Sequence, residues 1–335
     1  MSLGANEAMT VRTDASRSVV TLSRRKRTRY AWAYLFVLPQ VVFFAAFTIY
    51  PIAMSYVYSF YEWSGIGPLE DSVGWSNFSE LLRDPAFWNA FRNSLIYIGA
   101  TAAILLPSSL LLALVLNRAV FRGKVFYRTV YFLPVVTAAS TVGIVMKFIF
   151  GNENALVNGL LLKLGLLSEP VPWLGQAGTA MGVLVLVGSW KFFGMAMVYW
   201  LAGLQSLPGE AFEAARIDGA GSAQVLRYVT LPLLRPVAAV VLLLTVVNSM
   251  HVFDLVKTLT GGGPFYATET VDLYIYNYAF NTSGFPRIGY ASAAGIVFGL
   301  AIFLLTLLLG WLVQASRERG ERPRRAAAAR GGGRE

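Results

Sequence analysis

Long uncharged runs alternate with short polar segments along this chain, and six runs are long enough to cross a bilayer as helices, which takes ~20 residues. No side chain is charged from Tyr30 to Tyr61. That places a first span near 33–57, with Pro51 toward its far end. Tyr50, Tyr56, Tyr58, Tyr61 and Trp63 follow the pattern of an interfacial aromatic belt. Arg92 and Arg118 enclose a second span at about 94–116. A third, at about 129–150, contains Phe132 to Val136 (FLPVV), with Lys147 near its end snorkelling to the interface. Lys191 interrupts a fourth at about 178–203. A fifth lies near 235–256, and a strongly apolar sixth at about 290–314. Backbone groups in lipid must find partners within their own segment, so each run is expected to be helical.

The longest polar segment of the second half is Leu207 to Pro236, between the fourth and fifth spans. Pro208 suits a first helical turn, where Glu210 and Glu213 meet the positive end of the helix dipole. Ala211, Phe212, Ala215 and Ile217 form a narrow apolar side. Asp218-Gly219 ends that helix. Ser222 is placed to cap a second helix, and Pro232 and Pro236 to close it. The expectation is two short helices and a glycine turn held between two spans, a shape suited to docking.

Composition agrees with a membrane chain. Of the 335 residues 56% are hydrophobic and 14% charged, where soluble domains carry about a quarter charged. Without cysteine there is neither disulfide nor thiolate site, and the single histidine, His251, makes a histidine zinc site implausible. The net charge of +10 could suggest nucleic acid, but the charges sit in tails and short loops beside the spans. There, basic residues set orientation. Twenty-one lysines and arginines fall in the tails, the 118–128 loop and the 204–235 loop, against five in the alternate loops. The bias expects both termini and the 204–235 loop in the cytoplasm. The expected organisation is a basic tail over 1–29, a six-helix domain over 30–316, and a basic, disordered tail over 317–335. No cleaved signal peptide, soluble domain or internal repeat is expected.

Glu213-Ala214-Ala215, three residues, Gly219, nine residues, Val229, one residue and Leu231-Pro232 read EAA-x3-G-x9-[IV]-x-LP. This resembles the signature loop of the permease subunits of binding-protein-dependent ABC importers. Asp218-Gly219-Ala220 and LPLLRP resemble the carbohydrate branch, as do FYEW and GWSNFSELLRDPAFWNAFRNSL at 60–63 and 74–95. So does Leu259-Thr260 with Gly262-Gly263-Pro264 and Thr268, the LTxGGP-xxx-T text. The resemblance implies an all-α, polytopic type I importer permease fold in a bacterial cytoplasmic membrane. It implies a cytoplasmic coupling helix seated in a groove of an ATPase. Its implied partners are two ATPase subunits, a second permease, an external solute-binding protein, a sugar and membrane lipid, with no nucleic acid and no cofactor.

Residue roles follow from the same resemblance. Glu213 would make a charge-assisted contact with the ATPase. Ala214 and Ala215 would let the helix enter a groove, Asp218-Gly219 would make the turn, and Leu231-Pro232 would pass movement to the fifth span. Gly262, Gly263 and Pro264 would lie near an external gate. The substrate path would draw on Lys191, Phe192, Met195, Asn248, Ser249 and Asp254, with Ser140 secondary. By helical spacing alone, Thr245, Asn248 and Ser249 share one face, and polar groups there can equally bond between helices. Trp190, Phe192, Phe193 and Tyr199 could supply rings for a sugar. Lys191 demands its own account, because a central charge costs about 3 kcal/mol on insertion scales. It could line the cavity, pair with Asp254, or snorkel.

No GxxxxGK[ST] loop, HExxH helix or Ser-His-Asp set occurs, so hydrolysis must come from another polypeptide. Three rivals remain: a permease for an anionic solute such as a glycerol phosphate ester, a proton-coupled carrier relaying through Lys191 and Asp254, and a receptor-like or structural membrane protein without substrate-dependent activity.

Overall fold

The computed structural model describes residues 30–118, 123–151, 153–280 and 284–331. The N-terminal tail, part of the basic loop near 118–128 and the last four residues lie outside them. Five helices are long and apolar enough to cross a membrane, or six when one bent pair counts as a single span. Among the described residues there is no strand, only an isolated bridge between Tyr61 and Ser72.

Two units are distinguished, residues 1–58 and 59–335. The first holds α1 (Tyr30–Tyr58). Its turns widen to π geometry over Ala45–Ile49, just before Pro51. Proline removes one backbone donor, and a wider turn lets the helix continue past it.

The second unit begins with α2 (Ser76–Arg83) and α3 (Pro85–Asn117). Next come α4 (Lys124–Val136), α5 (Ala139–Phe150) and α6 (Leu156–Lys163). The long α7 (Ala177–Gln205) and the short α8 (Gly209–Ile217) follow. Then come α9 (Ser222–Met250), α10 (Phe253–Leu259), α11 (Val271–Phe280) and α12 (Ile288–Gly331).

The core forms around α3 and α7, which run side by side. Toward one end Tyr97 packs with Val183, Leu184 and Val187 and meets Val142 of α5 and Leu255, Val256 and Leu259 of α10. Toward the other, Ala113 and Leu116 pack on Met197, Trp200, Leu201 and Leu204, joined by Leu234 and Val241 of α9. Phe87 and Ala90 of α3 also join Val271, Tyr274, Tyr290 and Phe298. Glycines in α7 allow this crowding. A Cβ at Gly188 would stand 2.1 Å from the Tyr97 hydroxyl, and one at Gly203 2.4 Å from a Val237 methyl. Small residues permit such approach in membrane bundles.

Three expectations need correction. The third span is not continuous: α4 and α5 meet at 97° across Thr137-Ala138. The two prolines do not close a helix after Ser222. Instead the chain runs unbroken from Ser222 to Met250, through a π-helical stretch at Val225–Thr230 that ends just before Pro232, with Pro236 inside the helix. The same widening precedes Pro51. Finally, the fifth span stops at Met250, where His251 leaves helical geometry with ψ 65°. Asp254 therefore stands on α10. At the far end, α12 extends helically to Gly331, well past the expected end of the sixth span.

Candidate functional site: a mid-bundle cleft, a docking helix and a fastened loop

α7 turns Phe192, Met195, Ala196 and Tyr199 to one side, at helical spacing. α9 answers with Thr245, Asn248 and Ser249, and Leu105 of α3 completes the wall of a cleft. The cavity measures ≈ 10 Å³, about the space of one water. Four predicted path residues, Phe192, Met195, Asn248 and Ser249, thus come together, with Tyr199 and Thr245 beside them. The other three lie elsewhere. Ser140 is in the first turn of α5, and Asp254 is exposed on α10, its carbonyl accepting from the Thr258 hydroxyl at 2.7 Å. The ammonium of buried Lys191 donates to the carbonyls of Pro134 at 3.2 Å and Thr137 at 2.6 Å.

The helix expected to dock is α8. Pro208 precedes it at the N-cap and Glu210 lies in its first turn. At its end Gly219 has φ +73°. The N–H of Ala220 bonds to the Ala215 carbonyl and that of Gly219 to the Arg216 carbonyl, at 2.9 and 3.0 Å. This is the left-handed glycine ending that the Asp-Gly pair predicts. Gly221, not Ser222, caps the next helix, and its N–H donates to the Gln224 side chain at 2.8 Å.

No residue of α8 is buried. Phe212 and Ala215 are half-buried, and α8 rests against the π-helical start of α9. Glu213, Ala214, Asp218 and Gly219 are exposed. So is Ile217 of the narrow apolar side, at 86%. Leu231 and Pro232 belong to α9 itself. Tyr228, also exposed, was missed altogether. Its signal would have been a large aromatic inside the motif's nine-residue spacer.

The Gly262-Gly263-Pro264 segment forms the base of a tightly held loop. Gly262 has φ +89°, and a Cβ there would come within 2.9 Å of Leu273. Phe265 and Tyr266 follow in left-handed geometry, 96% and 66% exposed. The Tyr266 carbonyl accepts from the side-chain amides of Asn89 and Asn93, each at 2.9 Å, and Asn93 also donates to the Glu269 carbonyl at 3.1 Å. The Thr268 hydroxyl bonds to the Gly263 carbonyl and the Thr260 hydroxyl, both at 2.7 Å.

Beneath the loop the Asp84 carboxylate accepts from the Tyr274 and Tyr290 hydroxyls and from the Ala86 N–H. Burial alone would raise its pKa, but these hydrogen bonds hold it below the usual range. Burial raises that of Glu269, against a bond from Asn277. Arg287 forks onto Glu80 at 2.6 and 2.7 Å. Sequence reasoning missed these fasteners. Their trace is the polar pair Asn89 and Asn93, one turn apart where α3 begins.

Known proteins resemble this chain along most of its length. The lactose transport system permease protein LacF of Rhizobium radiobacter is 33% identical over 90% of this chain and 100% of its own. The arabinooligosaccharides transport system permease protein AraP of Bacillus subtilis is 35% identical over 84% of this chain and 88% of its own. Among solved structures, a bacterial ABC transporter that imports the acidic polysaccharide alginate contains a chain sharing the fold. Its TM-score is 0.73, at 23% identity over 86% of this chain and 96% of that one. Residues 106–319 match the family model described as the inner membrane component of binding-protein-dependent transport systems. With so much of the chain covered, it belongs to that family.

Proposed function

We propose that this chain is one permease subunit of an ATP-driven importer for a mono- or oligosaccharide in a bacterial cytoplasmic membrane. Its termini and α8 face the cytoplasm. There α8 seats in a groove of one of two ATPase subunits, through Glu213, Ala214, Ala215, Asp218 and Gly219, with Ile217 and Tyr228 adding apolar contact. Leu231 and Pro232, at the head of α9, pass that movement into the span whose Asn248 and Ser249 line the cleft. A second permease completes the path, and an external binding protein delivers the sugar near Gly262, Gly263 and Pro264.

The observation that carries this reading is α8: the EAA-bearing helix has no buried residue and is joined by the short turn at 218–221 to a cleft-lining span. The cleft pairs amide and hydroxyl groups with the rings of Phe192 and Tyr199, the chemistry that holds sugar hydroxyls and faces. A neutral sugar is preferred to an anionic ester because the Lys191 ammonium is engaged by carbonyl oxygens. The same engagement weighs against a relay with Asp254.

The test is purification of the chain from its native membrane in mild detergent, with ATPase activity measured on the product. The reading expects a second permease and an ATPase to copurify, with hydrolysis raised by a sugar-loaded binding protein. Recovery of the chain alone, with proton-driven uptake in vesicles, would overturn it.

A further inference from the structure

Lys191 is 4% exposed and lies near the middle of α7, where an ammonium needs close oxygen partners. The partners it has are unusual. Where α4 ends, its last carbonyls lack intrahelical donors, and in lipid they have no water to turn to. The Thr137 N–H reaches back to the Pro134 carbonyl at 3.3 Å. Lys191 donates to that same carbonyl and to the Thr137 carbonyl. A cation here also matches the negative end of the α4 dipole.

The neighbouring contacts fix the same junction. One turn along α7, a Cβ at Gly194 would lie 2.3 Å from the Tyr131 carbonyl oxygen and 2.7 Å from the Phe132 Cα. The two backbones therefore touch. The rings of Tyr131 and Phe193 meet at 5.3 Å. Beyond the bend, α5 packs on α10, where a Cβ at Gly143 would overlap the Thr258 hydroxyl. The far end of α7 leads into α8.

We infer that Lys191 is a positioning residue: it caps the broken third span from α7 and fixes the 97° bend to the helix that leads into the docking loop. It does not contact the transported solute. The capping role rests on the geometry of the break, and its effect on uptake rests on the importer reading.

The chain has no cysteine, so spin labels can be placed on it without removing any native thiol of its own. Leu133 on α4 and Phe148 on α5 are 64% and 79% exposed. Labels there, in the full assembly in nanodiscs, report the bend as a distance. Wild type and Lys191→Arg should give one narrow distribution, and Lys191→Met a broadened or longer one. In uptake, Lys191→Met should lower the maximal rate and leave the KM for sugar within about twofold, because no solute contact is lost. An unchanged distance with a raised KM would overturn the inference and return Lys191 to the substrate path.

If Lys191→Met does not assemble, Gly194→Ala keeps the ammonium and separates the two backbones. It should broaden the same distance, and an unaltered distribution there would also overturn the inference. If the distances behave as stated but wild type shows no ATP-dependent uptake, the importer reading fails while the cap stands.

Discussion

The loop end of the second unit and its docking end are stabilised in opposite ways. At the loop end, side chains from distant parts of the sequence tie one another down. Asp84 accepts from Tyr274 and Tyr290, Asn93 spans to Tyr266 and Glu269, and Arg287 clasps Glu80. At the docking end, α8 and the turn after it rely mainly on backbone bonds and the Gln224 cap. At the first end the Asp84 and Glu80 carboxylates and the Asn89 and Asn93 amides find their partners within the chain. The polar groups of Glu213 and its neighbours are exposed, where the proposed ATPase would meet them. The contrast predicts that substitutions at the loop end lower stability, whereas those at the docking end lower activity while the chain still folds.

The largest effect is expected at the docking end. Glu213→Lys reverses the charge that the proposed reading pairs with a basic group of the ATPase. Gly219→Val places a β-branched residue at φ +73°, a conformation such residues rarely adopt. Either should reduce uptake tenfold or more, equivalent to at least ~1.4 kcal/mol of coupling, while insertion and binding-protein capture persist. Normal uptake by well-expressed variants would break the comparison at its centre.

At the loop end the largest response should come from Asp84→Ala. Tyr274 and Tyr290 still bond to each other at 2.8 Å, yet both lose the carboxylate. Stability should fall by about 1–3 kcal/mol, the range for leaving buried polar groups short of a partner. Thermal unfolding in detergent would register this, with uptake per folded molecule nearly unchanged. A variant of normal stability with little uptake would mean that the loop end is itself a moving part. Acid should act in the same direction. Because the Asp84 carboxyl is held below its ordinary value, its stabilisation is present above the unfolded pKa and is lost as pH falls through the folded one. Glu269 opposes this. Its raised pKa means that stability declines as pH rises from the unfolded value toward the folded one. Asp84→Asn should flatten the acid limb and leave the Glu269 limb in place.

The sequence made some of these features readable and hid others, for physical reasons. Span length and charge are properties of a single segment, so the apolar runs could be read directly. The face shared by Thr245, Asn248 and Ser249 followed from helical spacing, and the Asp-Gly helix ending from the left-handed turn it needs. The break at Thr137 was hidden. Pro107 and Pro236 sit inside continuous helices, so Pro134 could not announce a bend. What accompanies the bend is Lys191, 54 and 57 residues away from its two carbonyl acceptors. The shift of Asp254 out of the fifth span was hidden in the same way, since nothing in the apolar pattern marks His251 as an ending. Fasteners such as Asp84 with Tyr274, 190 residues apart, exist only once the helices are packed.

A smaller effect is expected from Asn93→Ala. It removes a donor from two backbone carbonyls, while Asn89 still serves Tyr266. A loss of about 1 kcal/mol is the usual size for one such bond. Hydrogen exchange should show faster opening confined to residues near 262–271. Opening that spreads to α8 would mean the two ends are mechanically joined.

The smallest effect belongs to the Arg287–Glu80 pair, although it is the most conspicuous contact at the loop end. Its side chains are 34% and 48% exposed, so solvent and salt screen much of the attraction. Arg287→Lys removes the two-pronged geometry and should lower stability by no more than ~1 kcal/mol, as exposed pairs do. The difference should shrink as salt is raised from low to physiological concentration. The hydrogen bond from Arg287 lowers the Glu80 pKa, so the pair's contribution is present above the unfolded carboxyl pKa and fades as pH falls through the folded value. A larger loss that salt does not reduce would show a different origin. Arg287 also lies over the Tyr290 ring at 4.6 Å, and Tyr290 bonds to Asp84. Such a salt-insensitive loss would assign Arg287 to the buried Asp84 network, and would extend the self-satisfied end of the bundle out to its surface.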